Sequence, residues 1–284
     1  MLPGPSEPAP LDGFVAFPSD RVAGYRAAGY WAGHAVDSVL RRAAAAWPRR
    51  TGVADAVSSY TFGDLDKLAD AAAAGFAAIG IAPADRVLLA LPNSCQFAVA
   101  FFGLLRAGAI PVMCLPGHRL AELSHFAEVS GAVGLVIAET AGGFDYRPMA
   151  EQLVAAHREL RHVVVDGDPG PFISFAQLPD GDPPGILADS TRPALLLVSG
   201  GTTGLPKLIP RTHDDYVYNA TASAELCRLA SDDVYLVALP AAHNFPLACP
   251  GLLGSMTVGA ATVFATDPSP ESAFATIARH SVTV

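Results

Sequence analysis

From about residue 50 onward, short runs of β-branched and aliphatic residues alternate with longer stretches that mix apolar and polar positions at helical spacing. The short runs predict strands at 87–91, 110–115, 133–138, 162–165, 194–198, 234–239, 261–265 and 281–284. The longer stretches predict helices at 62–79, 94–106, 120–130, 147–157, 214–229 and 269–280. Asn93 and Asp214 stand where the N-caps of the second and fifth helices are expected, and Gly108 marks the stop of the second. Strand and helix in alternation predict an α/β fold of parallel-sheet layers with helices on both faces.

The pattern is interrupted at 179–193, where Pro, Gly and Asp concentrate. That break predicts a first α/β subdomain over 14–190 and the start of a second over 191–284, preceded by a flexible leader at 1–13. The run 281–284 is strand-like and has no closing turn, so a sheet finished there would carry an open edge. The alanine runs at 43–46 and 71–74 read as helix-favouring composition.

Composition narrows the classes. Among 284 residues, 51% are hydrophobic, which is enough for one large or two medium cores. The most apolar stretch, 98–116, is broken by Arg106, Gly108 and Pro111 and so predicts no membrane span. The first residues have neither a basic region nor an apolar run, which predicts a cytoplasmic protein. Cys95, Cys114, Cys227 and Cys249 lack any C-x-x-C spacing and read as reduced thiols. A formal net charge of −9 argues against nucleic acid as a partner.

Against that acidic background one loop stands out. Of the 18 basic residues only Lys67 and Lys207 are lysine. Lys207 closes the run Ser199, Gly200, Gly201, Thr202, Thr203, Gly204, Leu205, Pro206, Lys207, which follows an apolar strand. Glycines let backbone N–H groups approach an oxyanion, the hydroxyls add donors, and an ammonium supplies charge. Between Ser199 and His213 the cations Lys207, Arg211 and His213 meet no carboxylate. A Walker A loop needs Gly-Lys-Ser/Thr opening a helix; here Leu205 and Pro206 separate Gly204 from Lys207, and Leu208–Ile209 before Pro210 reads as extended. The run instead resembles the phosphate-binding motif of adenylate-forming enzymes, the superfamily of acyl-CoA synthetases, luciferases and peptide-synthetase adenylation domains.

Downstream, the strand at 234–239 runs into His243, Asn244 and Phe245 between prolines, with Cys249 beyond. Polar residues at a strand's carboxyl end are well placed for ligands in open α/β sheets. This stretch resembles the acid-pocket motif of the aryl-acid AMP ligases of siderophore biosynthesis, above all of those that activate salicylate. Further likeness lies in Phe17-Pro-Ser-Asp-Arg21, Tyr25 through Trp31, Leu91-Pro-Asn, and Leu115-Pro-Gly-His-Arg119, so it extends from about residue 14 to the end.

The resemblance implies ATP and Mg2+ as cofactors, with Ser199 to Gly204 and Lys207 holding phosphate and Thr202 beside the metal. It implies attack of an aryl carboxylate on the α-phosphorus of ATP, then transfer of the acyl group to the phosphopantetheine thiol of an aryl carrier protein. By the same resemblance Asn244 bonds the 2-hydroxyl of salicylate, while His243 and Phe245 wall the ring. Cys249 stands where relatives that use 2,3-dihydroxybenzoate tend to have serine. A thiol is a weak partner for the extra hydroxyl, which favours salicylate. The superfamily's full-length members are roughly twice as long, and the missing half carries the adenine and ribose contacts, an acidic magnesium ligand and a catalytic lysine. The chain is therefore expected to adenylate poorly or not at all on its own. A noncatalytic module binding ATP or an aryl acid, and a ligase for 2,3-dihydroxybenzoate or another carboxylic acid, are the alternatives on the same residues.

Overall fold

The computed structural model describes residues 13–200, 205–267 and 269–284. In chain order the elements are α1 (Ser19–Ala27), α2 (Ser38–Ala46), β1 (Thr51–Ala54), β2 (Ser59–Thr61), α3 (Phe62–Ala78), β3 (Arg86–Ala90), α4 (Cys95–Arg106), β4 (Ile110–Met113), α5 (Leu120–Ser130) and β5 (Gly134–Ala138). The small hairpin β6 (Thr140–Ala141) and β7 (Phe144–Asp145) leads to α6 (Arg147–Ala156), β8 (His162–Asp166) and β9 (Ile173–Ser174). The last third holds β10 (Pro193–Val198), β11 (Leu208–Thr212), α7 (His213–Leu226), β12 (Val234–Val237), α8 (Asn244–Ala248), α9 (Gly251–Val258), β13 (Ala261–Phe264) and α10 (Pro270–His280).

Seven strands form one sheet in the order β11-β10-β4-β3-β5-β8-β9, parallel except for the β10–β11 hairpin. Its central strands are buried on both faces, as the continuous apolar runs require. Alternate side chains then serve two cores: Val87 and Leu89 pack toward α3 and α4, whereas Leu88 and Ala90 pack toward α5 and α6. A second sheet, β12-β13-β1-β2, is parallel but for β1–β2. The first core continues into it through Val53, Val237 and Phe264, so α3 and α4 lie between the two sheets. The alanine run of α3 is a packing face. A Cβ on Gly103 of α4 would sit 2.6 Å from the Ala72 Cβ, so small residues on both helices permit their close approach.

The layered α/β architecture is as expected, but its division is not. Strands β10 and β11 complete the sheet of the earlier stretch, and β1 and β2 complete the sheet of the later one, so the boundary expected between 190 and 191 separates neither sheet. Strand partners are chosen by adjacency in space, and the Pro-rich segment 179–193 is a surface strap between elements of one sheet. Residues 1–12 of the expected leader lie outside the described residues. Residues 281–284, expected as a strand, run along the outer edge of β12 through Thr283 N to Val234 O (3.0 Å) and Leu236 N to Val284 O (2.9 Å), without a regular ladder.

Both expected N-caps are displaced, the first by one residue and the second by two. Ser94 caps α4 by accepting from Phe97 N at 3.1 Å, and Thr212 caps α7 by accepting from Asp215 N at 3.2 Å. Asp214 is instead a buried tether, accepting from Gly33 N (2.8 Å) and the Ser190 hydroxyl (2.8 Å). Asn93 is a clamp between sheets. Its amide N–H groups serve the carbonyls of Val237 (3.1 Å), Leu239 (2.9 Å) and Ala265 (3.2 Å), and its Oδ1 accepts from Ala241 N at 2.7 Å. Asp55, just after β1, accepts from Cys95 N (2.7 Å), Ser58 N and Val57 N. Burial alone would push its carboxyl up, but these three donors hold it below the ordinary value.

Replacing Asn93 by Leu orphans a buried N–H and up to three carbonyls while keeping the bulk. It should lower unfolding stability in urea by about 3 kcal/mol, against about 1 kcal/mol for Ser94→Ala.

Candidate functional site

The glycine-rich loop grows from a hairpin. Ser199 N donates to Lys207 O at 2.9 Å and Lys207 N donates to Ser199 Oγ at 2.8 Å, so the two ends of the motif face each other as the last rung of the β10–β11 ladder. Strand β11 follows Lys207 directly, which bears out the reading of 208–210 as extended and removes the helix a Walker A loop requires. Gly200 is exposed and a Cβ there would meet nothing within 4 Å. His125 of α5 supports the far side through Pro206 O at 2.9 Å. Gly201, Thr202, Thr203 and Gly204 lie outside the described residues.

Opposite the hairpin, the chain leaves β12 through Pro240 and the Asn93 clamp and enters α8. His243 caps that short helix, its Nδ1 accepting from Phe245 N at 3.3 Å. A cavity of about 310 Å³ lies between, with Ser199 and Gly200 on one wall, His243 and Asn244 on the other, and Met113, Leu115, Ile209 and Arg211 completing the lining. All of these stand at or beyond carboxyl ends of parallel strands or on the adjoining hairpin, where open α/β sheets bind ligands. The structure thus brings the start of the loop and the His-Asn pair into one cleft. Lys207 stands at its neck without lining it; Phe245 is exposed and outside the wall; Cys249 is reached through Asn244.

Four residues behind Asn244 went unassigned in sequence. Arg211 makes a bidentate pair with Asp215, from Nη2 to Oδ1 at 2.9 Å and from Nε to Oδ2, and its Nη1 donates to Asn244 Oδ1 at 3.4 Å. Its guanidinium lies 4.9 Å from the centre of the Tyr216 ring. Burial pushes the Tyr216 hydroxyl's pKa up, so it stays neutral. Asn244 Nδ2 donates to Cys249 Sγ at 3.3 Å, and Asn219 Nδ2 reaches the same sulfur at 3.3 Å while donating to Ala248 O at 2.8 Å. The available signal was spacing: Asp215 and Asn219 are four apart on one face of α7.

The positive loop expected from Lys207, Arg211 and His213 shrinks accordingly. The Arg211 charge is neutralised by Asp215. His213 is buried, its Nδ1 accepts from Val36 N at 3.1 Å, and burial outweighs Asp189 and Asp214 to push its pKa down to about 4. Its ring is neutral at pH 7 and does not line the cleft.

With this geometry in hand the class is defined: the chain belongs to the AMP-binding enzyme family, whose model matches residues 40–284. It is 67% identical to the salicyl-AMP ligase / salicyl-S-ArCP synthetase of Mycobacterium tuberculosis, over 99% of this chain and 51% of that protein. It is 40% identical to the 2,3-dihydroxybenzoate-AMP ligase of Bacillus subtilis, over 96% and 51%. The apo structure of Mycobacterium smegmatis MbtA superposes with a TM-score of 0.92 at 65% identity, covering 96% of this chain and 51% of that one. The chain spans about half the length of the curated relatives it matches. No helix among the described residues is long and apolar enough to cross a membrane.

Because the His213 pKa is depressed in the fold, the unfolded chain binds a proton between pH 6.5 and about 4 that the folded chain does not. Stability present above pH 6.5 is lost as pH falls through that window, by roughly 3 kcal/mol from this group. In His213→Gln, urea unfolding measured from pH 7 to 4 should lose that part of the slope.

Proposed function

We propose that this chain carries the acid slot and the phosphate hairpin of a salicyl-AMP ligase, which loads salicylate onto an aryl carrier protein in siderophore assembly of the mycobactin type. The observation that carries the reading is the single cleft shared by Ser199, Gly200, His243 and Asn244, built from the carboxyl edges of two sheets. The 67% identity to the Mycobacterium tuberculosis ligase supports the choice of acid. The partners are then ATP, salicylate or a close aryl acid, and the carrier's phosphopantetheine, met in the cytoplasm.

A benzoate is ionised at neutral pH, so the first step needs no base. A carboxylate oxygen forms a bond to the α-phosphorus of ATP, the bond to the bridging oxygen breaks, and pyrophosphate leaves with the electron pair. The carrier thiolate then attacks the acyl carbon and AMP departs. The chain's task is to hold two anions in line while charge spreads over phosphate oxygens. Backbone N–H groups of Gly200 to Gly204, the Ser199, Thr202 and Thr203 hydroxyls and Lys207 are suited to that work. Magnesium would neutralise phosphate charge beside Thr202. Among the described residues no group of three or more His, Cys, Asp or Glu side chains is placed to hold a metal, so these residues offer it no cage of their own.

In the acid slot, Asn244 bonds the 2-hydroxyl with His243 beside the ring, whereas Phe245, exposed outside the wall, is not among the groups that meet it. The Cys249 sulfur already receives N–H groups from Asn244 and Asn219, which leaves it a poor partner for a 3-hydroxyl. Calorimetric titration of the chain should show salicylate bound about tenfold or more tightly than 2,3-dihydroxybenzoate. Asn244→Leu should weaken salicylate by about ten- to a hundredfold, and Cys249→Ser should narrow the gap between the two acids. Unchanged salicylate affinity in Asn244→Leu would sink the slot assignment.

A further inference from the structure

A side-chain amide has an accepting end and a donating end, and the end Asn244 shows to the slot decides which ortho substituent it can read. In the structure both ends already have protein partners, Arg211 on the cleft wall and Cys249 beyond it. Oδ1 accepts from Arg211 Nη1 at 3.4 Å, and one N–H of Nδ2 goes to Cys249 Sγ at 3.3 Å. Arg211 is itself fixed by its bidentate bond to Asp215 and by the Tyr216 ring. The sulfur is fixed by Asn219.

We propose that Arg211, held by Asp215, is the positioning residue that locks the orientation of the Asn244 amide, occupying its carbonyl and leaving its second Nδ2–H as a donor to the acid's ortho position. This rests on the aryl-acid reading of the slot. In salicylate the phenolic proton bonds the molecule's own carboxylate, so the phenolic oxygen is left as an acceptor and matches that donor. Anthranilate presents an amino group rich in N–H and would need the amide reversed, while benzoate presents nothing. Discrimination follows because a polar group facing its own kind in a closed site goes unpaired. Asp215 adds a second effect. By spending the Arg211 charge, it prevents the guanidinium from capturing the acid's carboxylate, which must stay free for phosphorus.

The test compares wild type, Arg211→Met and Arg211→Lys of the same chain, with folding checked by circular dichroism. Titration with salicylate, anthranilate and benzoate should show a preference for salicylate in wild type. That preference should fall about tenfold or more in Arg211→Met and be largely kept in Arg211→Lys, which retains a donor beside Oδ1. Salicylate preference undiminished in Arg211→Met overturns the positioning role while leaving the slot intact. Absence of any aryl-acid binding by wild type counts against the slot itself, and a ligand-free readout then decides the positioning role. The Asn244 side-chain NH2 resonances, assigned by their disappearance in Asn244→Asp, should be dispersed in wild type and Arg211→Lys and move to solvent-like shifts in Arg211→Met. Identical resonances in Arg211→Met overturn the proposal.

Discussion

The site depends on one junction, the turn between β3 and α4. Two sheets supply the two walls of the cleft, and sheets that share only an apolar layer of helices could slide by fractions of an ångström. At this turn the sliding is blocked. Asn93 grips backbone groups following β12 and β13, and Asp55 following β1 grips the first N–H of α4. The carboxyl ends of three strands of one sheet are therefore registered against the carboxyl end of β3 in the other. Hydrogen bonds in a buried, low-dielectric place are costly to break singly, because each release leaves a polar group without water. The wall that carries His243 and Asn244 begins four residues past Leu239, the last carbonyl held by Asn93 but for Ala265, and inherits its position.

The electrostatics of the cleft are arranged by cancellation. On the proposed reading, an acidic protein holding a nucleotide and an acid would need positive charge at the phosphate and none that competes for the acid. Three nearby basic residues are treated differently. His213 is kept neutral by burial and serves as an acceptor to the Val36 N–H. Arg211 keeps its charge but delivers it to Asp215. Lys207 has no ion-pair partner among the described residues and sits at the neck of the hairpin, where a nucleotide phosphate would arrive. Asp215 is also the carboxylate nearest to Asn244 by connection, and its commitment to Arg211 leaves none for the ammonium of an amino acid.

Much of the fold was legible because long apolar runs in parallel strands admit few other interpretations, and the helices from α3 to α7 and α10 fell close to their expected places. The elements that escaped had weak local signals. Helix α1 buries no side chain, β2 is three residues long, and β1 carries only Gly-Val-Ala into the core, so their existence is decided by tertiary contact. The cap missed by one residue shows the same limit: Asn93 and Ser94 are both good cap residues, and only the carbonyls waiting across the sheet gap assign one to each role. At the site, the loop and His243-Asn244 could be named from sequence because their motifs are contiguous. Cys249 was named on the same motif, but its connection through Asn244 and Asn219 to Arg211 and Asp215 could not be, since it joins a strand, a helix and a loop whose adjacency exists only after folding.

Selectivity in so small a cleft must come from polar pairing. A cavity near 310 Å³ with apolar walls can exclude a bulky acid, but it cannot strongly reject an isostere that differs by one hydroxyl or exchanges hydroxyl for amine. What it can do is decide in advance which valences remain open. The pair of donors converging on Cys249 Sγ closes one acceptor, and the guanidinium at Asn244 Oδ1 closes another, so at this position the Asn244 amide has a donor left to offer. An acid whose ortho group accepts is matched; one whose ortho group donates finds no lone pair. On this reading discrimination would be set by the neighbours of Asn244, Arg211 on the cleft wall and Asn219 and Cys249 beyond it, which fix the state of the amide that meets the ligand.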